Sequence, residues 1–458
     1  MRDAKRLIAV RGLSAWRRTA QPGCDMDTSY QRPLRVAVVI TRDLSERNGR
    51  TPILSHIVRA LAARHEIELL HLPTLVESRD LIDAAGALAA WMASLCRGRP
   101  LPLQCLLYAS PRQCRAIAAR IADTACDTVY LDTVRCQQLL RILRRRSPGL
   151  HIVTDFDDLM SRRAGYLFRN RLPFATGHVG RRLPGWLRFL PEKLLARPIA
   201  AYEALTLPAA EDEVIAASDA TILISSADRD KLGARMPVDT VHAIPPAVAA
   251  VCPPRDTPPT RFVFIGSDEF IHNRAAIDFL LQTWRAIRPP LDLHIYGQQS
   301  RVGLAAEGVH WHGYVEDLAE VYRPGSIALA PAMDRGGIKT KVLEAWAWGC
   351  PVLCNQAAME GLALADYPFV LPEARWPGIL TAPNGRDWAA AARLGHAFVR
   401  DTCSAERFER AWQEIVCPTA RCPVANAGER EQAGFKPAGE MHATDALASA
   451  FARARVQG

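Results

Sequence analysis

The stretch GGIKTKVLE, from Gly336 to Glu344, sets two glycines before two lysines and one carboxylate. A strand ending at Pro331 precedes it. The helical spacing of Ile338, Val342, Ala345, Trp346 and Gly349 predicts one buried face on a helix opening at Ile338, leaving Thr340, Lys341 and Glu344 on the opposite face. Unsatisfied amides and the positive dipole end at such a helix start attract an anion, and Lys339 or Lys341 adds a mobile cation for phosphate oxygens. Glu344 follows Gly337 by seven residues, roughly 10 Å along a helix axis. That is about the reach from a diphosphate to a ribose whose hydroxyls a carboxylate accepts. The same residues also suit a solvent-facing Lys and Glu pair on an ordinary helix.

A second group is DFDDLMSRR, where Asp155, Asp157 and Asp158 follow an apolar run. Carboxylates this close repel unless they are solvated, paired with arginine or put to use. One of them could be put to use orienting or deprotonating a substrate hydroxyl; capping of a helix by Asp157 or Asp158 is the alternative. Gly49, in the loop TRDLSERNGRTP, is a candidate for close backbone approach to a ligand. Between Arg162 and Arg197 nine basic residues accompany the single acid Glu192, with Tyr166, Phe168, Phe174, Trp186 and Phe189 interleaved. That mixture suits an anionic membrane surface or a solvated segment packing its aromatics inward. No nucleic-acid recognition module accompanies it.

The elements that must position these residues alternate. RVAVVI, EIELLHL, TVYLD, HIVTDF and ATILIS read as strands, with helices over Ile53–Arg64, Ser78–Cys96, Pro111–Ala125 and Val134–Arg146 between them. Six prolines between Val238 and Pro259 break the pattern and predict a stiff connection. The alternation then restarts with RFVFIG, a helix over Asn273–Arg288, DLHIYG, GVHWHG, a short helix over Glu316–Tyr322, SIALAP and PVLCN. Arg386–Arg400 and Ala405–Ile415 read as closing helices. Such alternation implies an α/β protein of two doubly wound, Rossmann-like parallel domains with ligands in the cleft between them. The expected division is a disordered leader over 1–30, a first Rossmann-like domain over 31–245, a second over 246–417 and a weakly ordered tail over 418–458.

Composition agrees with that reading. The chain has 458 residues, 49% hydrophobic, with 57 basic against 48 acidic side chains giving +9, a mild excess that fits an anionic partner without demanding nucleic acid. Collagen-like, coiled-coil and wholly disordered classes are excluded. No apolar run approaches the roughly 18–20 residues of a membrane span, and no secretory signal is visible, so a cytoplasmic place is expected. The twelve cysteines show neither a disulfide framework nor zinc spacing and read as buried reduced thiols.

The segment GGIKTKVLEAWAWGCPVL resembles the nucleotide-sugar signature of family 4-like retaining glycosyltransferases of the GT-B fold, the group 1 branch. RFVFIGSDEFIHNRAAIDFLL is similar to the strand, loop and helix that open the family's second domain. DLHIYG is similar to its next strand, and GVHWHGYVEDLAEVY to its base-side loop. The resemblance spans about residues 35–400 and is strong from Arg261 to Leu362. It implies phosphates near Gly266, Ser267, Gly337 and Lys339, the base near His312, Tyr314 and Val315, and the ribose on Glu344. The family Glu eight positions before Glu344 is Gly336 here, with Asp334 as its substitute, and HNRAA replaces the usual Lys-Gly, so Arg274 or Lys339 supplies the positive charge. The resemblance further implies a metal-independent transferase without a cofactor. It would move a sugar from a nucleotide diphosphate to a glycan or lipid-linked acceptor in polysaccharide or cell-envelope synthesis, peripheral to the inner face of the plasma membrane. A catalytically idle partner protein of this fold, or a nucleotide-sugar epimerase, stays open as an alternative.

Overall fold

The computed structural model describes residues 32–42, 44, 50–170, 195–268, 270–300, 306–333 and 336–417. In the first part of the chain the strands are β1 (Arg35–Ile40), β2 (Glu66–His71), β3 (Thr128–Asp132), β4 (His151–Asp157), β5 (Ala220–Leu223) and β6 (Val241–Ala243). They form one six-stranded sheet in the order β2-β1-β3-β4-β5-β6, every pair parallel. Between them run α1 (Arg50–Ala62), α2 (Leu81–Cys96), α3 (Pro111–Asp123), α4 (Gln137–Arg146), α5 (Met160–Arg169), α6 (Ala196–Ala217) and α7 (Ser226–Gly233). The second sheet is β11-β10-β7-β8-β9, also parallel, from β7 (Arg261–Ile265), β8 (Leu293–Tyr296), β9 (Val309–Gly313), β10 (Ser326–Ala330) and β11 (Val352–Cys354). Its longer helices are α8 (Ile271–Ile287), α9 (Thr340–Ala347) and α10 (Trp388–Thr402), and the described chain ends in α11 (Ala405–Val416).

Each sheet is covered on both faces, as parallel strands require. One face of the first sheet carries Ala37, Val39, Val129 and Leu131 against the layer holding α2 to α6. The other carries Val36, Val38 and Ile40 against Leu54, Ile57 and Leu61 of α1. Both sheets are doubly wound, with strand order reversing between β1 and β3 in the first and between β7 and β10 in the second. Loops diverge at those points and open a crevice at the carboxyl ends of the strands.

Three features that the sequence reading missed or misplaced have clear causes. The proline-rich connection contributes a strand, β6, because the segment before its first proline pairs Val241 and His242 with Thr221 and Ile222. The 22-residue helix α6 carries Pro208 in its interior, a residue that argues against a helix when read locally, yet Leu207, Ala210, Val214 and Ile215 are buried in the first core. The closing helix α11, expected with the second domain, returns to the first. Phe408, Trp412 and Val416 lie in the α1 core, Trp412 sits 5.6 Å from the Tyr130 ring, and Thr128 Oγ1 donates to the Val416 carbonyl at 2.8 Å. Burying side chains of this size contributes about 1.5–3 kcal/mol each, so the helix acts as a strap across the first sheet.

Candidate active site

The first-domain half of the site is built on Arg50, a residue the sequence reading passed over. It stands in the opening turn of α1 with its side chain 1% exposed, reaching Asp157 Oδ1 at 3.0 Å and Asp132 Oδ1 at 3.5 Å and pairing closely with Asp155. Burial alone would depress its pKa, but Asp155 and Asp157 hold it well above the usual value. Asp132 is anchored in turn by Thr41, whose Oγ1 donates to it at 2.6 Å. Burial pushes this carboxyl up, but Arg50 and Arg42 outweigh it and keep Asp132 below the ordinary range. The cation thus locks the ends of β1, β3 and β4 at the switch point. Its signal in the sequence was an arginine closing the loop after β1, complementary to three later aspartates.

The three aspartates of β4 separate in role. Asp155 is 1% exposed and fully engaged: Tyr130 Oη donates to Oδ2 at 2.9 Å, the Asp157 amide donates to Oδ1 at 3.0 Å, and Arg50 pairs with it. This geometry is that of a structural anchor and presents no carboxylate edge to a substrate, contrary to the catalytic role expected of it. Burial raises its pKa against the pull of Arg50. Asp157 follows an irregularity in the β4–β5 register, adopts φ of 66°, and keeps 21% of its side chain exposed. Burial also raises its pKa, with Arg50 opposing and Asp158 adding. Asp158 is buried and pairs with Arg163. Neither Asp157 nor Asp158 caps α5. The opening turn of that helix is satisfied from α6 instead, where the buried Glu211 accepts the Ser161 amide at 2.8 Å and its hydroxyl at 2.6 Å.

The second half lies at the carboxyl ends of β7 and β10. A Cβ on Gly266 would fall 2.8 Å from Asn273 Cγ, and a Cβ on Gly297, at φ 113°, would fall 2.7 Å from the Gly266 carbonyl oxygen, so the β7 and β8 ends meet only through glycine. Asn273 ties this loop to the signature helix: its Nδ2 donates to the Ser267 carbonyl at 3.0 Å, and Lys341 Nζ donates to its Oδ1 at 2.9 Å. Lys341 also rides 4.5 Å over the Phe264 ring. Gly266, Ser267 and Lys341 are therefore brought together, with Asn273 as the link the sequence reading did not single out.

The signature helix opens at Thr340, two residues later than expected, because Gly336 and Gly337 both take left-handed φ, 109° and 61°. Lys339 stands at its cap position and folds back to donate to the Gly336 carbonyl at 3.0 Å. The Gly337 amide is not open to a ligand here, since it donates to Asp228 Oδ2 of α7 at 3.1 Å. Among the described residues no acceptor is found for the amides of Ile338 and Thr340. Glu344 is half-buried, its carboxylate accepts no hydrogen bond from any described residue, and burial raises its pKa although Lys341 opposes the shift. A desolvated, unpartnered carboxylate is unfavourable for the fold alone and suits a hydroxyl-bearing ligand.

Other expected donor residues are placed elsewhere or are occupied. Arg274 donates Nε and Nη2 to the Asp268 carbonyl at 3.2 and 3.0 Å, shaping the β7 loop. His312 stacks on Tyr296, 4.4 Å between ring centres, and shares a 2.8 Å hydrogen bond with His294. Tyr314 is 60% exposed beyond it, with Val315 partly buried. Gly49, Asp334, residues 171–194 of the basic and aromatic segment, the leader and the tail lie outside the described residues. The two halves touch across the crevice: Arg162 joins Asp228 and Glu360, Lys231 Nζ reaches Glu360 at 2.5 Å, and Tyr166 Oη donates to the Met333 carbonyl at 2.7 Å. A Cβ on Gly337 would fall 3.6 Å from that of Asp158.

Residues 259–392 match the model of the family described as Glycosyl transferases group 1. Among solved structures, the chain is similar to sucrose-phosphate synthase from Thermosynechococcus elongatus at 13% identity and TM-score 0.56, covering 83% of this chain and 98% of that one. Anabaena Alr3699/HepE in complex with UDP and glucose matches at 12% identity and TM-score 0.54, with the same coverage. A glycosyltransferase from Rickettsia africae matches at 11% and 0.53, covering 85% of this chain and all of that one. No curated protein matches in sequence.

Proposed function

We propose, from the premise that residues 259–392 carry the group 1 glycosyltransferase signature on a GT-B fold of two Rossmann-like domains, that this protein transfers a sugar from a nucleotide diphosphate sugar to a glycan or lipid-linked saccharide. The carrying observation is Glu344, a half-buried carboxylate with Lys341 nearby but no hydrogen-bond donor among the described residues, on the same helix whose start leaves the amides of Ile338 and Thr340 without an acceptor among those residues. The ribose hydroxyls would donate to Glu344, and the departing diphosphate would be stabilised by those amides with Lys339 and Lys341. These groups meet the developing charge without a metal ion. Asp157, the partly exposed carboxylate on the facing domain, is the group to orient an acceptor hydroxyl. Retention of anomeric configuration and a place in polysaccharide or cell-envelope synthesis follow from the resemblance, and both are part of this reading. So is a peripheral place on the inner membrane face, whose expected basic and aromatic segment lies largely outside the described residues.

Two features favour a second reading, a catalytically idle protein of the same fold: Gly336 in place of the family Glu, and the Gly337 amide already taken by Asp228. Calorimetry with a panel of nucleoside diphosphates and their sugars, followed by product analysis with and without acceptors, separates the cases. Binding lost in Glu344→Ala together with acceptor-dependent product supports transfer. Binding without turnover across the panel supports the idle reading, and product from donor alone indicates an epimerase or hydrolase. No binding of any nucleotide overturns the proposal.

A further inference from the structure

Helix α2 is built inside out. Its only polar side chains, Asp83 and Ser94, are both buried. Asp83 accepts from Ser110 Oγ at 2.8 Å and Gln113 Nε2 at 2.6 Å, and Ser94 Oγ accepts the Leu101 amide at 2.9 Å. Every exposed side chain from Leu81 to Cys96 is apolar or a thiol, with Leu81 86%, Ile82 68%, Leu88 54% and Met92 51% exposed. At 100° per residue those exposed positions sweep about 160° of the helix, wider than the narrow seam of a two-helix coiled coil. The helix is about 24 Å long. Beside it Trp91 Nε1 donates to Tyr202 Oη of α6 at 2.9 Å, and α6 exposes Leu205 to 59%.

Arginines flank this surface. Arg79 precedes the helix and Arg97 and Arg99 follow it; all three are exposed, Arg79 and Arg97 pair with no acid among the described residues, and Arg99 forms no ion pair there, although its charge helps hold the Glu213 carboxyl below the usual range. The nearest acid at the start, Asp80, is already taken by Arg112 at 2.8 Å. A second copy laid on α2 would set arginine against arginine, Arg97 on Arg97 if parallel and on Arg79 if antiparallel. An anionic lipid surface satisfies both features at once, since the apolar arc enters the acyl boundary and the arginines meet phosphate headgroups. No helix among the described residues is long and apolar enough to cross a membrane.

We propose that α2 is an interfacial membrane-docking helix that seats the first domain on anionic lipid. It rests on the part of the functional reading that places the protein on the inner membrane face, and its test needs no nucleotide sugar, so it and the transferase assignment can fail separately. The full chain is floated with vesicles of phosphatidylcholine and phosphatidylglycerol in equal parts, and with phosphatidylcholine alone. Wild type should float with the anionic vesicles and much less with the neutral ones. Leu88→Glu with Met92→Glu should lower the bound fraction by about tenfold or more with an unchanged melting midpoint, because both positions are exposed. Arg97→Glu with Arg99→Glu should lower it by about tenfold. Wild type that stays with the soluble fraction, or that floats equally well in both double variants, overturns the proposal. So does a lipid-free dimer of wild type that the Leu88→Glu, Met92→Glu pair converts to monomer, which would assign the face to a second copy.

Discussion

The Gly337 amide donates to Asp228 Oδ2 across 3.1 Å, joining the signature loop of the second domain to the first turn of α7 in the first. The same carboxylate holds Arg162 Nη1 at 2.6 Å and is 0% exposed. A side chain of one domain therefore occupies an amide that the family resemblance assigns to a pyrophosphate, so any nucleotide bound there would have to compete with this closed contact.

Replacing Asp228 with Asn removes a negative charge from the edge of the anion site. Nucleoside diphosphate affinity should rise about fivefold, the equivalent of roughly 1 kcal/mol. The fold should lose about 1–3 kcal/mol because Arg162 loses one of its carboxylates. Calorimetry and urea unfolding check the two effects separately.

Arg50→Met leaves Asp155 buried without its cation and Asp132 with only the weaker pull of Arg42 and Arg135, and unfolding free energy should fall by about 3–5 kcal/mol. The change also alters acid sensitivity. Asp132 is held below the ordinary carboxylate range, so its contribution is present above its unfolded pKa and is lost as pH falls through the folded one. Urea titrations from neutral to acidic pH should show the wild type losing that contribution and the Arg50→Met protein losing only the smaller part that Arg42, Thr41 and Arg135 sustain.

Glu344 obeys the opposite sign. Its folded pKa is raised by burial, so ionisation opposes folding above that pKa, and the penalty is relieved as pH falls below it. Glu344→Gln should therefore raise the melting midpoint near neutral pH and lose the advantage in acid, while nucleotide binding drops at least about tenfold. Melting curves across pH, with and without nucleoside diphosphate, read both outcomes. A variant that neither gains stability nor loses binding removes the ribose assignment.

Gly395, inside α10, lies against the helix that carries Glu344. A Cβ there would fall 2.3 Å from Trp346 Cδ1, so Gly395→Ala must displace α9 or α10. We expect a loss of roughly 1–3 kcal/mol from overpacking and weaker nucleotide binding with it. Denaturant unfolding and calorimetry on the one variant test whether the two losses travel together.

Much of this architecture was legible in the residues themselves. Runs such as RVAVVI and RFVFIG are apolar from their second residue on, and a strand buried on both faces has that composition wherever it sits. The rhythm of Val342, Ala345 and Trp346 likewise marked the buried face of α9. What the sequence could not decide is which polar groups meet across distance. Asp155, Asp157 and Asp158 look alike in a string, but Arg50, more than a hundred residues earlier, makes Asp155 an anchor and leaves Asp157 partly exposed. The Gly337 and Asp228 contact, the return of Trp412 to the first sheet and the apolar exposure of α2 also depend on three-dimensional packing. Local periodicity reports how a segment meets its own neighbourhood; partners brought together by the winding of two sheets leave no mark at either end until the chain has folded.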